Sequence, residues 1–486
     1  MKKKEPKRPT TVPAEAIWNA SERWIREGKA YKDAINDWLD VIYLENKEQK
    51  DPEPTETRTD MAPYVMGQIV AFNGKGEHEK LRELFPPDYD PFVDEHKKEF
   101  TRCVSKVMLL TDDRIVSKVG QYYEDEQNCY IIKNDKIEEL PELISFGASH
   151  DKKYFAKAYE NRIDITKGWD GEVITSIQYP KDYGEEFKIK HPDIKTDTNF
   201  TGKNINIENI NVFNNGKKLL LCSHAGIFIL QENNSSLLHP GINKYEDNDD
   251  PWYLWGKNSE EYDNGFMFNL DYPNADLSPD DKYISLGSQD SPHIILTEKD
   301  GKWTETGWIE PRSSYPHSTK FNYLIKDEEG NPYPHVALSS CHFSRSATIG
   351  LPLKNLTENF EASGYDADET LDYIDESNWI YSILPSAYGY FLGAKNGYIW
   401  LKYYRGTHQL GYIFIGGTIM SMDLSGPRKI LTVATYSGQI VRLKWESEGE
   451  SDFKNNYRKD PYLITNLPLV DKKRYLFWKD KKPMIW

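Results

Sequence analysis

Two hydrophobic periods divide the chain. Over residues 13–45 the apolar positions recur at helical spacing. Ile17, Trp18, Ala20, Trp24 and Ile25 follow Pro13 as far as Gly28, and Tyr31, Ile35, Trp38, Leu39 and Ile42 then share one face. Residues 51–59 are polar and contain proline, which predicts a linker, and shorter helical pieces are expected at 77–84 and 94–100. The apolar helical faces need a surface to cover, most simply the side of the domain that follows. From about residue 104 the period becomes that of short strands.

The strands recur as a unit whose best marker is a hairpin. Residues 217–222 lead through Ala225-Gly226 into 227–229, residues 389–392 through Asn396-Gly397 into 398–400, and residues 429–433 through Ser437-Gly438 into 439–441. Two further units share a lead-in, Ser149-His150-Asp151-Lys152-Lys153 and Ser278-Pro279-Asp280-Asp281-Lys282, and weaker copies lie at 111–132 and 334–351. These turns resemble the Ser-Pro-Asp-Gly-Lys-like turn that precedes the second strand in the WD-repeat-like β-propeller superfamily. The resemblance covers about residues 104–465 at the level of fold. Trp-Asp occurs once, at Trp169-Asp170, displaced from its usual place, and the Gly-His pair that opens such repeats is missing. Packing, rather than the family's hydrogen-bond network, is therefore expected to hold the units together.

The expected fold is all-β, a β-propeller of about seven blades with a helical N-terminal extension. The expected division is a basic tail and helical extension at 1–60, a linker with short helices packing on the propeller at 61–103, and the propeller at 104–486. Residues 474–478 and 68–72 are two candidates for the strand that closes the ring.

Composition narrows the class. Of 486 residues, 38% are hydrophobic and 13% aromatic, with 32 Tyr and 13 Trp, which suits small cores between sheets. The formal charge of −16 argues against nucleic acid as the partner of the main domain. The ends are basic (Lys2, Lys3, Lys4, Lys7, Arg8; Lys472, Lys473, Arg474, Lys479, Lys481, Lys482) and read as solvated tails. Cys103, Cys129, Cys222 and Cys341 sit singly in apolar runs, as small core residues of a reduced, cytoplasmic protein. The basic start runs into Pro9, Thr10, Thr11 and Pro13, so no signal peptide is expected. The longest apolar stretch, 410–422, is broken by Gly416 and Gly417 and is too short to cross a bilayer.

Repeat spacing is irregular, and the extra residues gather in insertions at 179–204, 239–273 and 355–378. Placed after the last strand of one blade and before the first of the next, all three are expected on one face, which insertions often mark as the binding face. The first is electrically balanced. The second carries Glu246, Asp247, Asp249, Asp250, Glu260, Glu261, Asp263 and Asp271 against Lys244 and Lys257, and the third carries Glu358, Glu361, Asp366, Asp368, Glu369, Asp372, Asp375 and Glu376 with no cation. Such a field favours a basic protein partner. Trp252, Tyr253 and Trp255 follow the first acidic run, either as interface anchors or as the loop's own small core.

Catalytic chemistry finds little support. Asp366-Ala367-Asp368-Glu369-Thr370 mimics a phosphatase motif but follows a polar loop instead of a buried strand, and residues 246–250 lack the spacing of a dedicated calcium loop. His293, His317 and His335 each follow a proline, with His342 nearby, and a metal or general-base site would require them to converge near the channel; local hydrogen bonding is the favoured reading. No cofactor or metal is expected. The function read from the sequence is a non-catalytic protein-binding propeller, a scaffold or an inhibitor of immunity type, that uses acidic loops to hold a basic partner. The alternative is a propeller enzyme acting on glycans at the channel mouth, which needs two carboxylates across a cleft. A third reading is a subunit anchored in an assembly by its N-terminal helices.

Overall fold

The computed structural model describes residues 14–43, 50–87, 100–185, 189, 200–240, 270–444 and 469–486, leaving out 122, 125, 233, 290, 343–344, 366–367, 408 and 426–429 within those spans. Its strands form up-and-down antiparallel sheets. The first sheet is β1 (Val104–Leu109), β2 (Ile115–Val119), β3 (Asn128–Lys133) and β4 (Lys136–Glu139). Next come β5 (Ser145–Ala148), β6 (Tyr154–Ala158), β7 (Arg162–Lys167) and β8 (Val173–Gln178), then β9 (Ile207–Val212), β10 (Lys218–Ser223), β11 (Gly226–Gln231) and β12 (Asn234–His239). These two meanders are counted as one eight-stranded sheet through a single parallel bridge, Ala148 to Asn211.

The order continues with β13 (Asn274–Leu277), β14 (Tyr283–Gly287), β15 (His293–Lys299) and β16 (Lys302–Glu310), and with β17 (Pro316–Asn322), β18 (His335–His342) and β19 (Arg345–Pro352). β20 (Phe360–Ser363) and β21 (Asp372–Asp375) follow. The last sheets are β22 (Ile380–Ser386), β23 (Gly389–Ala394), β24 (Tyr398–Tyr403) and β25 (Gln409–Phe414), and β26 (Ile419–Ser425), β27 (Ile430–Thr435), β28 (Gln439–Lys444), β29 (Leu469–Leu476) and β30 (Met484–Ile485). The first strand of each meander faces a common central cavity, and the fold is a β-propeller.

Local chemistry explains the hairpins. In the Ser149 turn the hydroxyl donates to Asp151 Oδ1 (2.6 Å) and accepts from the Tyr154 amide (3.0 Å), while Lys152 takes a positive φ of 52°. Ser278, Asp280 and Tyr283 repeat the arrangement at 2.7 and 2.9 Å, with Asp281 at φ 61°. The family's turn puts glycine at this position, and here Lys152 and Asp281 tolerate the left-handed backbone because Ser and Asp satisfy the turn's amides.

Each core lies between neighbouring sheets. Ile227 and Ile229 pack with Leu277, Ile284 and Leu296, and Phe391 and Leu401 with Ile419, Val433 and Val441. The ring closes the same way, with Val104, Val107 and Ile132 against Ala434, Ile440, Tyr475 and Phe477. Of the two candidates for closure, 68–72 lies in helix α2 (Ala62–Asn73), and 474–476 belongs to the outer strand β29, paired to β28 rather than to the first sheet. Just beyond it the Arg102 amide donates to Phe477 O (3.0 Å), which ties the first sheet to the last. All four cysteines are buried and unbridged.

Among the described residues the other α-helices are α1 (Ala14–Tyr43) and α3 (His78–Leu84). α1 lies along the outside of the sheets: Trp24 packs with Trp486, Leu476 and Phe85, and Ile35 with Ile325, Ile380 and Tyr398. The expected helical piece at 94–100 falls, apart from Phe100, outside the described residues, and so do the side chains of Leu39 and Ile42.

Three expectations need correcting. The linker at 51–59 is partly built into the core, with Arg58 (1% exposed) paired to Glu56 at 2.8 Å and stacked on Trp24 at 4.3 Å. Two of the basic residues near 472–482 are not solvated, because Arg474 is buried and donates to Pro87 O (2.8 Å) and Gln439 Oε1 (2.7 Å), and Lys473 pairs with Asp135 (2.7 Å), while Lys479, Lys481 and Lys482 are exposed. The third insertion does not join the other two on one face. It runs between β19 and β21, the third and fourth strands of one sheet, whereas 179–204 and 239–273 join fourth strands to first strands. Alternate turns of a meander fall at opposite ends, so the third insertion leaves from the opposite face. Its β20 adds to β16 as a parallel edge strand, Gly307 opposite Phe360, which carries the insertion along the outer rim.

Candidate functional site

The first strands β1, β5, β9, β13, β17, β22 and β26 enclose a cavity of about 740 Å³. One mouth is formed by the turns between second and third strands and by the segments that enter the inner strands. Tyr123 and Tyr436 meet there through their hydroxyls (3.3 Å), and Tyr123 is 58% exposed. Tyr272, 41% exposed, stands where the second insertion returns to the inner strand β13, and the Leu270 amide donates to His224 O (2.7 Å). Around Tyr272 stand His317 (4.5 Å between ring centroids) and Tyr315 (5.4 Å); Tyr381 lies 4.7 Å from His317, and His342 lies 3.9 Å from Tyr315. Burial holds the His317 imidazole down at about 4, so it is a neutral aromatic wall at ordinary pH.

The four histidines singled out in the sequence do not converge. His317 and His342 join this mouth. His335 lies on the side of the propeller away from the cavity, contacting Tyr390 OH (2.8 Å) and Asp372 Oδ2 (3.2 Å), and His293 is fully buried in β15. Among the described residues no group of three His, Cys, Asp or Glu side chains is placed to hold a metal ion.

Inside the channel the polar groups form a connected wall. Asp276, fully buried, accepts from Lys320 Nζ (2.7 Å), the Phe321 amide (2.9 Å) and Asn211 Nδ2 (3.2 Å). Asp423 accepts from the Leu109 amide (2.6 Å) and from Lys152 Nζ (2.5 Å). Glu208 meets His224 Nε2 at 2.9 Å. Burial pushes the Glu208 carboxyl up, but the His224 contact and the nearby Lys118 and Lys106 charges outweigh it and leave the group below its usual range. That direction is the opposite of what a general acid needs.

Only part of the predicted binding set falls among the described residues. Glu246, Asp247, Asp249, Asp250, Trp252, Tyr253, Trp255 and Asp366 lie outside the described residues. Glu358 is exposed and pairs with Lys299 (3.4 Å), Glu361 is exposed on β20, and Glu369 is exposed nearby. Asp368 is occupied by its own turn, accepting from the Thr370 amide (2.8 Å) and hydroxyl (2.5 Å). Asp372 is half-buried against His335, Asp375 is buried against Lys402 (3.1 Å), and Glu376 pairs with Arg312. Three of the eight acids, Glu358, Asp375 and Glu376, are thus paired with a lysine or arginine. What the sequence reading passed over is the channel wall, above all Lys106 and Lys118. The available signal was a lysine inside each of two consecutive apolar strands, at Val104-Ser105-Lys106-Val107 and Ser117-Lys118-Val119.

No protein family matches the chain, and no curated protein matches it. Among solved structures it is similar to the β-propeller domain of Cps50 (Swd1) from Myceliophteria thermophila, with a TM-score of 0.42 and 9% identity over 71% of this chain and 100% of that one. Among the described residues no helix is long and apolar enough to cross a membrane.

Proposed function

We propose that the protein is a non-catalytic binding propeller that holds a basic protein partner at the aromatic mouth, with the second insertion as its electrostatic grip. One observation carries the reading. The insertion whose sequence holds eight acids against two lysines leaves the last strand of its meander at His239 and returns beside the mouth at Tyr272, among exposed tyrosines. Acidic residues draw a basic partner in, and aromatic side chains supply contact area at low entropic cost. In this assignment Glu246, Asp247, Asp249 and Asp250 steer, and Trp252, Tyr253 and Trp255 anchor. The rim acids Glu358, Glu361 and Glu369 lie with the third insertion and contribute only to the long-range field. The channel interior is lysine-rich, so the partner's basic residues stay at the rim.

The test is a pull-down of the tagged protein from its native cell at low and high salt, with bound proteins identified by mass spectrometry. A basic protein is expected, retained at low salt, released at high salt, and lost when Glu246, Asp247, Asp249 and Asp250 are changed to Gln and Asn. Capture that ignores both salt and these substitutions sinks the reading. The partner's activity in the complex then separates an inhibitor, of immunity type or otherwise, from a scaffold.

A further inference from the structure

Lys106 on β1 and Lys118 on β2 are direct cross-strand partners. Their Cβ atoms are thus about 5 Å apart on the same face of the sheet, an arrangement that like charges disfavour. Lys118 is only 5% exposed. Every hydrogen bond these two ammonium groups make among the described residues goes to a neutral oxygen. Lys106 Nζ donates to Phe146 O and Asn209 Oδ1, both at 2.8 Å, and Lys118 Nζ donates to Ile207 O at 2.8 Å. No ion pair to either lysine occurs among the described residues. The acids nearby hydrogen-bond elsewhere, Glu208 with His224 and Asp276 with Lys320, and Glu208 acts on the two lysines only through its field, without contact.

A buried charge without a directly paired counter-charge is costly, and two side by side are more so. Each ammonium has three donors; Lys118 uses one and Lys106 two, and both line the 740 Å³ cavity. The wall also offers hydroxyls and amides, Ser105, Ser318, Ser421 and Asn209, beside the carboxylates Glu208, Asp276 and Asp423, the last paired to Lys152.

We propose that the channel is an oxyanion site, in which Lys106 and Lys118, with Lys320 beside them, receive a phosphate-class anion. The site takes a free phosphate or a phosphoryl group carried on a peptide, and the charge and donor count are the same for both. An anion there adds negative charge in direct contact with the two ammonium groups and acceptors for their unused N–H groups. Burial, and then the charges of Lys118 and Lys320, lower the Lys106 ammonium to about 7, and a bound anion would raise it again. This inference stands apart from the basic-partner reading, because its test contains no partner protein.

The full-length protein is titrated with inorganic phosphate, pyrophosphate and a phosphoserine peptide against chloride at matched ionic strength, following heat release and Tm. The expected result is a saturable signal with the phosphates and none with chloride. In K106M and K118M affinity falls at least about tenfold, or about 1.4 kcal/mol, while K136M, at an exposed position, binds as the wild type does. Removing one of two like charges is expected to leave Tm unchanged or raise it. If a variant nevertheless folds poorly, the wild-type titration decides alone. A phosphopeptide that binds tighter than free phosphate and its unphosphorylated form identifies a peptide source, and equal binding of peptide and free phosphate identifies the free anion. No saturable difference between phosphates and chloride in the wild type, or full binding by both folded lysine variants, overturns the proposal.

Discussion

Burial and the charges of Lys118 and Lys320 bring Lys106 to about 7, with Glu208 and Cys222 acting weakly in the other direction. An unfolded lysine titrates near 10.4, so between pH 7 and about 10 the unfolded chain binds the extra proton and stability rises with pH. Urea midpoints measured from pH 7 to 9 should climb in the wild type and flatten in K106M. Histidines act at the other end. Burial holds His293 at about 3 and His239 and His317 at about 4. Between pH 6.5 and 4 the unfolded state therefore takes up protons the native state refuses, and stability falls on acidification. His293 has neither ring nitrogen hydrogen-bonded among the described residues. His293→Leu should then hold near wild-type stability at pH 7 and lose less of it at pH 4.5, a comparison two urea curves would settle.

Elements are held in register by close approaches that side chains would block. A Cβ on Gly147 of β5 would stand 2.0 Å from Ile210 O of β9, so the two inner strands meet only because residue 147 has no side chain. Gly147→Ala should destabilise by about 1–3 kcal/mol, the range for forced overpacking, read as a shift in the urea midpoint. Much of this level was legible in the sequence. The glycine turns and the Ser-Asp lead-ins mark the hairpins because turn geometry is local, and the N-terminal helix is marked by its apolar stripe. What was not legible is what depends on distance. Residues 355–378 announce only that something intervenes; that they lie between β19 and β21, and that β20 pairs with β16, is set by contacts about fifty residues apart. The apolar run at 68–72 is strand-like in composition and helical in fact, because it packs as one face of α2 against the last sheet. Lys106 and Lys118 acquire meaning only through their cross-strand register.

At the scale of the whole molecule, the described channel wall carries five lysines, Lys106, Lys118, Lys152, Lys320 and Lys395, with three carboxylates, in a chain of net charge −16. If both proposals hold, sodium chloride should loosen a basic partner at the rim, whereas phosphate should in addition occupy the interior. The helical extension is also part of the propeller's stability. Trp24 is fully buried 6.0 Å from the ring of Trp486, which is fully buried itself. Trp24→Ala should cost about 3–5 kcal/mol, as for other large aromatic truncations. Deletion of residues 1–60 should lower Tm, so loss of a partner in that variant must be judged against its stability.

The strand β20 leaves one sheet and hydrogen-bonds along the edge of its neighbour, then returns as the chain enters β21. The two sheets it bridges cannot then open one at a time, because unzipping β21 pulls on the segment that covers β16. In native-state hydrogen exchange the amides of β16 and β21 should lose protection with a common opening free energy. This joins β13–β16 and β17–β21 into one cooperative unit and leaves sheets without such a strap free to breathe alone.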